Sequence, residues 1–198
     1  MDRTASFLGR QPSPIHSPAR GTGHIVRRVA GRLLQAAVSF LSEEGWHPQI
    51  IEEEATVRTG FAGSNGNFAC YGHGMEDTEQ FVFYSVVPVP VPAGKRQAMA
   101  ELLTRINSGL VLGSFEMDFD DGEVRFKTAI DVEDAELTPA LLRGVVYGNV
   151  FPMDVYLPAI LSLVYSETTP VQALALVSEA ESEVEASEPD VQGEFRPA

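Results

Sequence analysis

The sequence is poor in cysteine and in positive charge. It has one cysteine, Cys70, in 198 residues, and 14 lysines and arginines against 28 aspartates and glutamates, for a formal net charge of −14. One cysteine excludes an intramolecular disulfide and fits a reducing, cytoplasmic setting. It also leaves a structural zinc site, which takes about four ligands, short of donors. Cys70 and His73 are the one close Cys/His pair, and His16, His24 and His47 are scattered. Neither a metal nor a cofactor is expected. The shortage of basic residues argues against nucleic acid, whose recognition needs a basic patch, and against anionic membrane surfaces.

Long apolar runs are also missing. A membrane span needs roughly 20 consecutive apolar residues. Tyr156 to Tyr165 is short, and Pro158 interrupts it. Residues 1–24 mix Asp2, Arg3, Arg10 and Arg20 with prolines and have no apolar core, so no secretory signal is read there.

The constellations of catalysis are absent too. There is no Gly-x-Ser-x-Gly elbow, and no histidine is singled out as a base. The glycine-rich stretch Gly60 to Asn67 lacks the lysine and Ser/Thr of a phosphate-binding loop and reads as a hairpin turn. Glu52, Glu53 and Glu54 read as an exposed strand end. The chain is therefore expected not to be an enzyme.

What remains is one domain between two biased ends. Residues 1–24, rich in Ser, Pro, Gly and Arg, read as a disordered, mildly basic arm. Residues 179–198 carry seven acidic residues, Glu179 to Glu194, against Arg196 alone, and read as a solvated acidic tail. Between them, residues 25–178 form the domain.

A helix is expected over 25–44, with Val26, Val29, Leu33, Ala37, Phe40 and Leu41 inward and Arg28, Arg32 and Gln35 outward, closed by Gly45. Strands follow at 49–53, 56–62, 67–73 and 80–87. Asn65-Gly66 is read as a two-residue turn that sets Phe61 opposite Cys70 and Tyr71 opposite Gly60, with Val57 and Phe68 on the face of Phe61. Strand 80–87 is apolar on both sides and so is placed centrally, covered on both faces, with a second subunit as a possible second cover.

The prolines of Pro88-Val89-Pro90-Val91-Pro92 make a stiff connector. It leads to a helix over 94–109 with Met99, Leu102, Leu103 and Ile106 inward and Gly109 as its cap. A second hairpin is expected to turn on Asp121-Gly122, setting Phe119 opposite Val124, Asp118 opposite Arg125, Met117 opposite Phe126 and Glu116 opposite Lys127. Phe115, Met117, Phe119, Val124, Phe126 and Ile130 then share an apolar face. Glu116 and Asp118, each matched by a cation, should have lowered pKa values, the wrong direction for a general acid. Thr138-Pro139 opens a helix to Gly148, Phe151-Pro152 restarts one through Ser166 with a kink at Pro158, and Thr169-Pro170 opens a last helix to about Ser178. The fold class is α+β, a two-layer sandwich with helices on one face of an antiparallel sheet.

Several local patterns fall in order along this domain. They are Gly45-Trp46, Gly60-Phe61-x-Gly63-x-Asn65-Gly66-Asn67, Pro88 to Pro92 with Lys95-Arg96, and Arg105-Ile106-Asn107 with Gly113-x-Phe115-Glu116. Asp121-Gly122-x-Val124-Arg125 and Asp154-x-Tyr156-x-Pro158 complete the set. On these residues the chain resembles the YbjN family of bacterial sensory transduction regulators. The resemblance implies a fold similar to that of type III secretion chaperones, self-association, and a role in protein binding or regulation. It implies no catalytic residue and no cofactor.

The function expected is a non-enzymatic, chaperone-like protein-binding module acting as a homodimer. Phe81, Phe83 and Tyr84 of the doubly apolar strand, with Met99 and Leu102 of the following helix, are the candidate partner-binding residues. The alternative is a small-ligand sensor with a pocket between sheet and helices lined by Phe61, Phe68, Tyr71 and Phe83, which are otherwise ordinary core aromatics.

Overall fold

The computed structural model describes residues 31–51 and 54–187, with side chains described through Ser178. The arm, residues 25–30 of the first expected helix, the Glu52-Glu53 pair and residues 188–198 lie outside the described residues. In chain order the elements are α1 (Arg32–Glu43), β1 (Gln49–Ile51), β2 (Thr56–Ala62), β3 (Asn67–Met75), β4 (Gln80–Val86), α2 (Arg96–Asn107), β5 (Ser114–Met117), β6 (Val124–Asp131), α3 (Pro139–Tyr165) and α4 (Pro170–Ser187). The six strands form one antiparallel sheet in the order β1-β2-β3-β4-β6-β5. The helices cover one face of it, giving the expected α+β two-layer sandwich.

Helical periodicity places the core. Leu33, Leu34, Ala37, Phe40 and Leu41 of α1 are buried, while Arg32 and Gln35 are exposed. Gly45 closes this helix at φ +80°, a left-handed conformation that glycine adopts without a Cβ penalty. In α2, Met99, Leu102, Leu103 and Ile106 are buried. Gly109 is not its left-handed cap. That conformation falls on Gly113, φ +75°, where a Cβ would overlap the Phe126 ring at 2.7 Å.

Both hairpins differ from expectation by the same amount. Phe61 pairs with Phe68, Thr59 with Cys70, and Arg58 with Tyr71, so Gly60 lies opposite Ala69 and not Tyr71. In the second hairpin Met117 pairs with Val124, Glu116 with Arg125, and Phe115 with Phe126. Each register is two residues away from a two-residue turn. The reason is that both loops are longer. Gly66 does not take a positive φ, and of the Asp121-Gly122 pair only Gly122 does, at +84°. Asp118 N–H donates to Glu123 O at 2.9 Å, and Phe119 is swung out of the apolar face to 55 % exposure. Asp118 therefore does not meet Arg125. Its carboxylate accepts from Asp120 N–H at 2.7 Å within the loop.

α3 is one continuous helix through Pro152 and Pro158, where two helices were expected. Thr138 caps it as expected, accepting from Leu141 N–H at 3.4 Å. By length and composition it could cross a membrane. Its apolar side instead forms the core, with Leu142, Val146, Val150, Met153, Leu157 and Ile160 buried. α4 continues past Ser178 to Ser187, so the first part of the acidic segment is helical.

One polar cluster sits inside this core. Asn149 of α3 is fully buried. Its amide donates to Phe83 O at 2.9 Å, to Phe126 O at 3.0 Å and to Thr128 Oγ1 at 3.2 Å, and it accepts from Ser85 Oγ at 2.5 Å. Both the amide nitrogen and the amide oxygen have partners, which is what a buried amide requires. The cluster ties α3 to the central strand pair β4–β6.

Candidate partner-binding face

In a strand, alternate side chains point to opposite faces. On the inner face are Val57, Phe68, Cys70, Phe81, Phe83, Ser85 and Phe126, all buried. Among the described residues, no helix lies over the outer face. Two rows of side chains cross it. Arg58, Tyr71, Tyr84 and Lys127 stand in register across β2, β3, β4 and β6. Beside them run Gly60, Ala69, Val86, Arg125 and Glu116. Val82, on the same face, is 7 % exposed.

The electrostatics of this face are uneven. At the β5–β6 end the Glu116 carboxylate takes an ion pair from Arg125 at 3.2 Å and another from Lys127. The Arg125 guanidinium lies 4.9 Å from the centre of the Tyr84 ring, within cation–π range. Burial raises the Tyr84 phenol above its ordinary value, with Arg125 partly opposing it. At the β2–β3 end Arg58 is exposed and has no ion pair or hydrogen bond among the described residues. An open concavity of about 970 Å³ lies there, lined by Gln49, Arg58, Asn67, Tyr71, Val86 and Pro88 among others. Its floor is small because Gly60 stands opposite Ala69.

The residues singled out from the sequence are placed as follows. Phe81, Phe83, Met99 and Leu102 have no exposed surface. They face the chain's own core, which corrects their reading as contact residues. Tyr84 alone of the five lies on the open face. Of the aromatics expected to line a ligand pocket, Phe61, Phe68 and Tyr71 all border the open concavity, with the Phe61 and Phe68 ring centres 5.5 Å apart, and Phe83 does not. Phe68 and Phe83 are in the core and Phe61 packs against Trp46 at 5.5 Å, while Tyr71 is on the opposite face. Arg58 and Val86 were missed, and the signal for them was the outward set of alternate residues in β2 and β4.

Cys70 and His73 are three apart on one strand and so point to opposite faces. Cys70 contacts Ser85 Oγ at 3.5 Å, and burial pushes its thiol up to about 12. His73 lies 3.0 Å from Thr56 Oγ1, and burial lowers its pKa. Among the described residues no group of three or more His, Cys, Asp or Glu could hold a metal ion.

The recurrent polar residues of the sequence patterns are mostly absorbed by the scaffold. Asn107 donates to Phe115 O at 3.0 Å and accepts from Phe115 N–H at 2.8 Å, filling the backbone positions of the β5 edge. Lys95 donates to Leu163 O at 3.2 Å and Ser166 O at 2.5 Å, capping the C-terminus of α3. Arg96 holds the second hairpin loop through Phe119 O at 2.6 Å and Asp120 O at 3.2 Å. These side chains are engaged in holding the fold.

The family model of the YbjN family, described as "putative bacterial sensory transduction regulator", matches residues 38–147. The chain belongs to the YbjN family. Among solved structures the chain is similar to a crystal structure of YbjN, described as a "putative transcription regulator", from E. coli. The two are 11 % identical with a TM-score of 0.45, over 76 % of this chain and 92 % of that one. No curated protein matches the chain.

Proposed function

We propose that the chain is a non-enzymatic regulatory module that binds a protein partner on the outer face of its sheet, in the manner of a chaperone holding an extended segment. The observation that carries this reading is the one-sided cover of the sheet. β3 and β4 are its central strands, yet Tyr71, Tyr84 and Val86 remain only half-buried on the side away from the helices. A sheet face of aromatic and aliphatic side chains is a binding surface by composition. Membership of a regulator family and the absence of a recognised catalytic constellation agree with a binding role. We place it in the cytoplasm, consistent with the lone buried thiol. Self-association through the same face is the homodimeric form of the proposal, and sedimentation equilibrium measures it.

The test is affinity capture from the native cell with three baits: the full chain, a Tyr71→Lys/Tyr84→Lys variant, and a Phe151→Ser variant altered on the helix layer. The expected result is one protein recovered with the first and third baits and lost with the second. Equal recovery with all three would remove the outer face as the binding surface.

A further inference from the structure

We infer that the partner presents a carboxylate to Arg58 from an extended acidic segment lying across the outer face. The inference rests on the protein-binding reading and specifies what that face recognises.

Three observations carry it. The first is the isolation of Arg58. Every other described lysine and arginine is engaged: Arg32 with Glu79, Lys95 and Arg96 with main-chain carbonyls, Arg105 with Glu101, Arg125 and Lys127 with Glu116, and Arg143 with Glu44. Among the described residues Arg58 is the one cation with no acidic or carbonyl partner, which leaves its guanidinium open to an anion.

The second is a template at the other end of the same face. There a carboxylate, Glu116, rests between two cations, one of which lies over a tyrosine ring. Arg58 stands directly opposite Tyr71, as Lys127 stands opposite Tyr84, and no described carboxylate pairs with it. Glu116 thus shows that a carboxylate can be held between the cations of this face.

The third is shape. Gly60 and Ala69 leave the floor low, and Tyr71 and Pro88 border it. The concavity reaches Val86, with Glu123 at its margin. An extended segment places alternate side chains on one side, so an acidic residue can meet Arg58 while a small apolar neighbour two positions on meets the floor.

The test uses the full chain and a short fluorescein-labelled peptide alternating Glu and Val, with a Lys/Val peptide as control, read by fluorescence anisotropy. The Glu peptide should bind the wild type, and the Lys peptide should not. Arg58→Gln should weaken Glu-peptide binding by about ten-fold or more, as for loss of a charge-assisted hydrogen bond. Arg58→Lys should recover part of it, and Arg105→Gln, altering an exposed arginine on α2, should leave it unchanged. Equal binding of both peptides, unchanged affinity in Arg58→Gln, or no binding at all would overturn the inference. Two other occupants are also separable. Binding that appears only after residues 188–198 are removed would assign the face to the chain's own tail. A dimer dissociated by Arg58→Gln in sedimentation would assign it to a second copy. Either result overturns the acidic partner. If capture persists with Arg58→Gln but is lost with Tyr71→Lys/Tyr84→Lys, the carboxylate inference falls and the protein-binding reading stands.

Discussion

Asn65 and Asp154 bind each other through both main chain and side chain. The Asp154 carboxylate accepts the backbone N–H of Asn65 at 2.9 Å, and the Asn65 side-chain amide donates to Asp154 O at 3.1 Å. That carbonyl is the one that Pro158, four residues on, cannot serve, because proline has no N–H. Asn65 replaces the missing helical hydrogen bond, and the same carboxylate also accepts from Ser64 N–H at 2.9 Å. The β2–β3 loop and α3 are thereby locked together, which explains how the helix runs through a proline.

Asp154→Ala should cost about 1–3 kcal/mol of stability, since it strands two backbone donors of a docked loop. Gly63→Ala should act on the same lock, because a Cβ there would fall 2.1 Å from the Asp154 carboxylate. Urea denaturation of the two single variants and the double variant should be clearly non-additive. Additive effects would mean that Gly63 matters for another reason.

Asn149→Ala should be among the most damaging single changes, about 2–4 kcal/mol, because it removes the amide donors to Phe83 O and Phe126 O and leaves Ser85 Oγ only its weak 3.5 Å contact with Cys70 Sγ. Asn149→Asp keeps the shape but turns a double donor toward two carbonyls into an acceptor. It should destabilise still more at neutral pH and partly recover in acid, as the carboxyl protonates. Chemical denaturation at two pH values checks both.

Cys70 should not react with a thiol reagent at pH 8 in the native chain, since burial holds its thiol near 12. It should react fully once urea unfolds the domain. Rapid stoichiometric labelling of the folded protein would contradict its placement between β2 and β4.

His73 gives a pH dependence of known sign. Burial lowers its folded pKa below the ordinary 6.5, so the unfolded chain binds the proton more readily. The stability linked to neutral His73 is present above 6.5 and is lost as pH falls from there toward the folded pKa. Thermal melts of wild type and His73→Gln should therefore converge as pH drops below 6.5. Glu44, lowered by its hydrogen bonds from Tyr147 and Arg143, acts in a separate window below 4.5.

Much of the fold was legible because strand side chains repeat with period two. Each hairpin register was misplaced by two residues, and a slip of two keeps every side chain on its face. The inward set Val57, Phe61, Phe68, Cys70 and Phe126 therefore survived the error, while cross-strand partners did not. The loop lengths were illegible because tertiary contacts set them: Asp154 holds one loop, and Arg96 with the Val91–Gly122 backbone bond at 2.8 Å holds the other. The face itself was harder to read. A doubly apolar β4 announced two buried sides, and sequence alone nominated its inward phenylalanines as contacts. Only the corrected pairing brings Arg58 beside Tyr71 and uncovers Gly60.

The most direct test of the outer face as the binding surface is photo-crosslinking in the native cell. A photoreactive phenylalanine would replace Tyr71 in one full-length chain and Phe151, half-exposed on the helix layer, in another. The account predicts a discrete protein adduct from position 71 and none from position 151. An adduct from position 151 with none from position 71 would contradict it.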